Sequence, residues 1–147
     1  DRDPYSAEKG HAEAVAREQN ITSAMPDSLV GCSFARYYNY TYAIDSAIKW
    51  LGVLGYHLDA KDIEFIGERI WNLTRMFNVR EGFSRKDDYL PKRMERPLEQ
   101  GGPADGKFIL KEDLDKMLNW YYEIRGWDKE GKPSLQKLEQ LGLNKYL

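Results

Sequence analysis

Apolar residues recur along this chain at helical spacing. Ile44, Ala47, Ile48, Leu51 and Leu54 predict a helix from about Thr41 to Leu54, closed by Gly55. Asp59 is placed to cap the next helix, with Asp62 in its first turn, where negative charge suits the helix dipole. The stripe Ile63, Ile66, Ile70, Leu73 and Phe77 predicts its buried face, and Gly82 its exit. Leu110, Leu114, Met117, Leu118 and Tyr121 predict a further helix reaching about Arg125. Pro133 opens a short last one, with Leu135, Leu138 and Leu141 inside and Gly142 after its end. Near the start, Ser6 reads as a cap before an Ala-, Glu- and Arg-rich helix to about Gln19. Gly10 weakens it and its apolar face is thin, so it is expected to pack lightly or against something absent. No alternating pattern competes, so the fold class is all-α: an irregular domain of about five helices with long loops.

Two stretches read differently. Asn20 to Asn39, with Pro26 and Gly31, predicts a long irregular connection, and connections of that length usually carry function. Phe83 to Lys107 is charged and holds Pro91, Pro97 and Pro103, so an extended surface segment is expected.

Composition narrows the class. A chain of 147 residues fits one domain, here a single helical domain over residues 1–147. With 41% hydrophobic and 31% charged residues it reads as globular rather than disordered. A net charge of -2 offers no field for nucleic acid or anionic lipid, so neither is an expected partner. No apolar run is long enough to span a membrane. A single cysteine argues against a secreted disulfide scaffold and fits a reducing, cytoplasmic setting. The start Asp1-Arg2-Asp3-Pro4 resembles neither a signal peptide nor an ordinary beginning, so a fragment of a longer chain is expected. Sequons at Asn20, Asn39 and Asn72 come without an export signal, and the last falls within a predicted helix; all three are read as chance.

Candidate chemistry is sparse. Glu8-x-x-His11 has a spacing that puts two ligands on one helical face, but a solvated pair is the favoured reading. His57 follows a helix end with no ligand spacing around it. Asp87 and Asp88 lie among Arg85, Lys86, Lys92 and Arg93, where a charge network or docking surface is favoured over acid–base work. Cys32, the only cysteine, closes Asp27-Ser28-Leu29-Val30-Gly31-Cys32. One thiol holds no metal unaided. It is either a buried inert residue or a ligand whose partners lie elsewhere.

The runs Ile66-Gly67-Glu68-Arg69-Ile70-Trp71-Asn72-Leu73 and Arg75 to Asp88, then Leu90-Pro91, resemble the C-terminal region of the tungsten-containing aldehyde ferredoxin oxidoreductases. So do Tyr121 to Asp128, the Gly131-Lys132-Pro133 turn, and the closing Leu138-Glu139-x-Leu141-Gly142-Leu143. The resemblance implies a C-terminal part of a longer enzyme that holds tungsten or molybdenum between two pterins beside a [4Fe-4S] cluster. It implies oxidation of an aldehyde to a carboxylic acid, with ferredoxin as electron acceptor. Three cluster cysteines would come from a CxxCxxxC motif that these residues lack. The fourth would come from a segment of the form Asp-x-x-Gly-Leu-Cys, onto which Asp27 to Cys32 falls. Cys32 then resembles the cluster ligand, Asp27 the pterin-binding aspartate and Gly31 the residue whose backbone lies against the pterin. Here the glycine stands one place later than in that pattern, which bears on the backbone contact and not on the thiolate.

No catalytic residue is assigned, because the family's acid–base groups lie outside these residues. Arg75, Asn78, Arg80 and Glu81 are expected to tie the long helix and the charged loop to the rest of the enzyme. The implied partners are the N-terminal and middle domains of that enzyme, ferredoxin and a small aldehyde. The lone chain is expected to be inactive, to bind neither metal nor cluster, and to associate with copies of itself through its exposed docking faces. Two alternatives stay open: a helical docking or assembly module, and a free-standing helical protein with an inert thiol.

Overall fold

Helix α1 (Lys9–Thr22) packs against two of the other helices and runs into the turn that follows it. In the computed structural model, residues 6–34, 40–99 and 101–146 are described, and the architecture concerns these. The remaining helices are α2 (Tyr40–Val53), α3 (Ala60–Arg80), α4 (Lys111–Arg125) and α5 (Leu135–Gln140). Among the described residues there is no strand, only an isolated bridge between Trp127 and Pro133, so the all-α expectation holds.

The thin apolar face of α1 does not mean light packing. Its buried positions include Ala12 and Ala16, whose small side chains let α3 and α4 both settle against it. The helix begins one residue after Glu8 rather than at Ser6, and it does not stop at Gln19. It runs on through Ile21 and Thr22 into a wider turn, Ser23–Asp27, closed by the Ser28 N–H donating to the Ser23 carbonyl at 3.2 Å. This is the five-residue spacing of a π turn, which tolerates Pro26 because proline brings no N–H that a tighter helix would need. Ser23, Ala24, Met25 and Pro26 are all buried, so the first part of the expected irregular connection is helical and inside. Residues 35–39, its last part, lie outside the described residues.

The main core gathers Ile21, Ala24 and Met25 with Ile44 and Ala47 of α2 and Ile63 of α3. Leu29, Ile48, Leu51, Leu58 and Ile66 pack around it. Burial of each such aliphatic side chain contributes roughly 1.5–3 kcal/mol, which makes this cluster the anchor of the α1–α2–α3 corner. Leu54, expected in the α2 stripe, is instead exposed beside the Gly55 exit. A second cluster, Leu138, Leu141 and Leu143, holds α5 against Met76 of α3. Leu135 was expected inside, but at the first turn of so short a helix it faces water.

Helix α3 starts as its sequence predicts. Asp59 accepts from the N–H groups of Lys61 and Asp62, and Asp62 accepts from the Asp59 N–H, a reciprocal capping box. The backbone N–H bonds from the first turn hold the Asp59 carboxyl below its ordinary range. Further along, the buried face departs from the apolar stripe. Gly67, Asn72 and Arg75 are buried, while Leu73 and Phe77 are exposed. The helix turns its polar positions inward because its later half meets α1, α4 and the Trp127 turn, which offer hydrogen-bonding groups.

The segment 83–107 is mostly exposed, with short 3₁₀ turns at Arg85–Asp87 and Lys92–Glu95, as its prolines predict. It closes on itself through Leu98, whose carbonyl accepts from Gly106 at 2.8 Å and whose N–H donates to Lys107 at 3.0 Å. Gly126, at φ 68°, ends α4 and turns the chain back along it.

Candidate functional site

The π turn delivers Asp27 to Cys32 to the surface from a buried root. Asp27 is exposed at its end, and the Leu29 N–H returns to the Met25 carbonyl at 3.1 Å. The Gly31 N–H donates to the Pro26 carbonyl at 2.8 Å, and the Ser28 hydroxyl donates to the Ala24 carbonyl at 2.7 Å. These bonds fix the turn without any residue beyond it. Cys32 is a free thiol and is exposed, so the expectation of a buried cysteine does not hold. Its neighbours Val30 and Phe34 are 92% and 76% exposed, so the thiol stands among apolar groups left open to water.

The left-handed residue of this turn is Val30, at φ 54°, not Gly31. A branched residue there is an outlier, and glycine is the residue that fits without strain. Val30 is also where the Asp-x-x-Gly-Leu-Cys pattern carries its glycine. Gly31 is half-buried, and a Cβ added to it would meet Pro26 and Met25 only at 3.4 and 3.5 Å, ordinary contacts. Neither backbone conformation nor packing among the described residues therefore demands glycine at 31.

Two arginines are buried among the described residues. Arg125, 1% exposed, donates from Nε to the Tyr121 hydroxyl at 3.1 Å and from Nη1 to Asn20 Oδ1 at 2.5 Å. Its Nη2 serves both the Ala16 carbonyl and Gln19 Oε1, each at 2.8 Å. The Tyr121 hydroxyl donates to Gln19 Oε1 and accepts from Trp71 Nε1, both at 2.7 Å.

Arg75 forms a two-toothed ion pair with Asp88, at 2.8 and 2.6 Å, and donates from Nε to the Gly131 carbonyl at 2.7 Å. Burial alone would lower the Arg75 pKa; the Asp88 carboxylate more than offsets this, and the guanidinium sits above its ordinary range. The Tyr122 hydroxyl also donates to Asp88, and burial together with that bond pushes its pKa up. Trp127 lies 4.8 Å from the Arg75 guanidinium and donates from Nε1 to Asn72 Oδ1 at 2.7 Å.

These networks show what several of the expected residues do within the chain. Arg75 ties α3 to Asp88 and the Gly131 turn of the same chain, and Arg80 pairs with Glu81 beside it. Asp88, half-buried, pairs with buried Arg75 rather than joining a solvated network, and Asp87 accepts from the Ser84 N–H to cap a 3₁₀ turn. Asn72 is fully buried with Nδ2 donating to the Glu68 carbonyl and Oδ1 occupied by Trp127, which fits the reading of its sequon as chance. Asn20 Oδ1 is likewise taken, by Arg125; Asn39 lies outside the described residues.

Glu8 sits at the cap with extended backbone, outside the helix that carries His11, so the pair lacks the helical register a shared ligand face requires. His57 is exposed. Among the described residues no three His, Cys, Asp or Glu side chains gather as a metal-holding group, and no helix is long and apolar enough to cross a membrane.

Sequence reasoning missed Arg125 as a functional residue. The signal was present: it stands seven places after Leu118 and four after Tyr121, on the face of the apolar stripe of α4. That stripe is itself only half-buried. Leu114, Met117, Leu118 and Tyr121 line an open groove of about 560 Å³, whose other wall is formed by Trp71 and Thr74 of α3.

Residues 1–143 match the family model described as aldehyde ferredoxin oxidoreductase, domains 2 & 3. The tungsten-containing aldehyde ferredoxin oxidoreductase of Pyrococcus furiosus is 34% identical over 98% of this chain and 23% of its own length. The aliphatic sulfonate oxidoreductase, WOR-like subunit, of the same organism is 31% identical over 84% of this chain and 20% of its own. Among solved structures, a chain of the active site complex BamBC of benzoyl coenzyme A reductase, in complex with 1,5-dienoyl-CoA, aligns at a TM-score of 0.47 and 28% identity. It covers 62% of this chain and 12% of that one. The chain thus spans under a quarter of the length of the curated relatives it matches.

Proposed function

Because the chain belongs to the aldehyde ferredoxin oxidoreductase family, aligned with the C-terminal part of its tungsten-containing members, we propose that it forms one wall of their cofactor site. In this reading Cys32 is one thiolate ligand of a [4Fe-4S] cluster. Asp27 accepts hydrogen bonds from a pterin, and Gly31 lets its backbone lie against that pterin. When bound, the tungsten–pterin group would supply the two-electron oxidation of an aldehyde with water to a carboxylic acid, its electrons passing through the cluster to ferredoxin.

The observation that carries this reading is the exposed Cys32 thiol on a turn whose root is buried. A thiol that ligates must be reachable, and a ligand that sits on an electron path must be held still. Exposure of Cys32 supports the first, and the hydrogen bonds that run from Ser23 to Gly31 support the second. The donor set also fits: the chain contains one cysteine, so it offers one of the four thiolates such a cluster takes. Gly31 adds support, since nothing among the described residues requires glycine there and a close external neighbour would. The open Val30 and Phe34 side chains are the surface expected where the rest of the enzyme closes over the site.

The relative named for aliphatic sulfonate aligns over most of this chain, so these residues do not by themselves choose the substrate. The test is Cys32→Ala in the full-length enzyme. Iron content is expected to fall and the EPR signal of the reduced cluster to be lost or altered. Unchanged iron with an unchanged spectrum would leave the chain as a docking module rather than a ligand donor.

A further inference from the structure

We propose that Arg125 is a positioning residue for the cluster-bearing turn, a role that rests on the reading of Cys32 as a ligand. Arg125 is 1% exposed, yet no carboxylate lies within ion-pair distance of it among the described residues. Its charge is met instead by neutral oxygens and by the rings of Trp71 and Tyr121, at 5.5 and 5.3 Å. Burying a cation this way is costly, and a methionine of similar bulk would fill the space without that cost. What the guanidinium supplies is a rigid fork of donors.

That fork is aimed at one place. The Ala16 carbonyl, Gln19 Oε1 and Asn20 Oδ1 all belong to the last turns of α1, directly before the π turn. Tyr121 adds its own bond to Gln19, so α4 grips that stretch through two side chains. From the opposite side, Gly67 of α3 meets the Asn20 backbone. The end of α1 is thereby fixed in rotation as well as in position. Six residues after Pro26, whose root this clamp steadies, comes the Cys32 thiol.

Arg75 provides the comparison. It is buried too, but its partners are Asp88 and Gly131, with none on α1. In full-length enzyme, Arg125→Met and Arg125→Lys are expected to lower iron content and to shift or broaden the EPR signal of the reduced cluster. Lysine keeps the charge and loses the fork, so it should not rescue the spectrum. Arg75→Met is expected to lower the unfolding temperature while leaving iron content and line shape as in the parent. Asn20→Ala, which removes one acceptor and leaves Arg125 in place, should give the same spectral shift to a smaller degree. It decides the matter if Arg125→Met yields no folded enzyme.

Parental iron and spectrum in the folded Arg125 variants, or in Asn20→Ala when those do not fold, overturn the proposal. The same changes in Arg75→Met would also overturn it, by making the effect one of general stability. If Cys32→Ala also retains its iron, the underlying reading fails as well; if Cys32→Ala loses it, only the role of Arg125 falls.

Discussion

Gly67 of α3 and Asn20 of α1 meet backbone to backbone, so closely that a Cβ built on Gly67 would lie 1.8 Å from the Asn20 carbonyl oxygen. No side-chain rotation relieves such an overlap, because both partners are main chain. Gly67→Ala should therefore push the two helices apart. An exposed helical site would gain about 1 kcal/mol from this change, but here the overlap dominates and a net loss of about 2 kcal/mol or more is expected. Thermal unfolding of the chain measures it, and an unchanged or raised midpoint would rule out the close crossing.

Among the described residues, Asp88 is the one carboxylate that pairs with buried Arg75, and it also receives the Tyr122 hydroxyl. Asp88→Ala leaves a buried guanidinium without its counter-charge, and about 3 kcal/mol of stability should go. Replacing the pair together, Arg75→Met with Asp88→Leu, should recover part of that loss. A urea titration of the two variants separates the cost of the stranded charge from the worth of the pair.

Tyr122 gives the chain an alkaline limit. Its pKa is raised in the folded state by burial first and by Asp88 second, while in the unfolded chain it ionises near the ordinary value of 10.0. Above that pH the unfolded state has released a proton that the native state still holds. Stability contributed by the neutral phenol is complete below the unfolded value and declines as pH rises, by up to about 1.4 kcal/mol per pH unit. Unfolding midpoints followed upward from pH 9 should fall more steeply in the parent than in Tyr122→Phe. Parallel curves would count against a raised phenol.

Val30 and Gly31 should respond differently to exchange. Val30→Gly relieves a left-handed branched residue and is expected to raise stability by up to about 1 kcal/mol. Gly31→Ala should be nearly neutral for the chain alone, since the new Cβ meets only ordinary contacts. In the full-length enzyme the same alanine should lower pterin content, which a fluorescence assay of released pterin would register.

How much of this was legible depends on how local the cause was. The Asp59 cap and the Gly55, Gly82 and Gly142 exits follow from a few adjacent residues, and all appear as the sequence predicts. The continuation of α1 past Asn20 was hidden because Pro26 ordinarily breaks a helix, and only a π turn with buried packing around it accommodates it. The buried face of α3 was hidden for another reason. Asn72 and Arg75 stand off the apolar stripe, and it is Trp127, Gly131 and Asp88, from 13 to 56 positions away, that make them interior. The place of Cys32 at a surface was likewise beyond composition and periodicity, although family resemblance singled out the residue.

The exposed half of the α3 stripe has its own consequence. Phe77 is 55% exposed, with the Arg80 guanidinium 4.9 Å above its ring. Phe77→Ser should change stability of the chain by no more than about 0.5 kcal/mol. It should also reduce self-association, as sedimentation velocity over a concentration series would register. A large destabilisation would place Phe77 in the core after all.

The π turn at Ser23–Asp27 makes the spacing between α1 and Cys32 a matter of count rather than of composition. Each residue along a helix advances the chain by about 100° of rotation. Removing a single position from that turn would therefore swing everything downstream of it around the axis of α1, with the clamp at Ala16 to Asn20 unable to follow. Point changes that keep the turn's length should be absorbed locally, whereas a one-residue deletion would aim an intact thiol in the wrong direction.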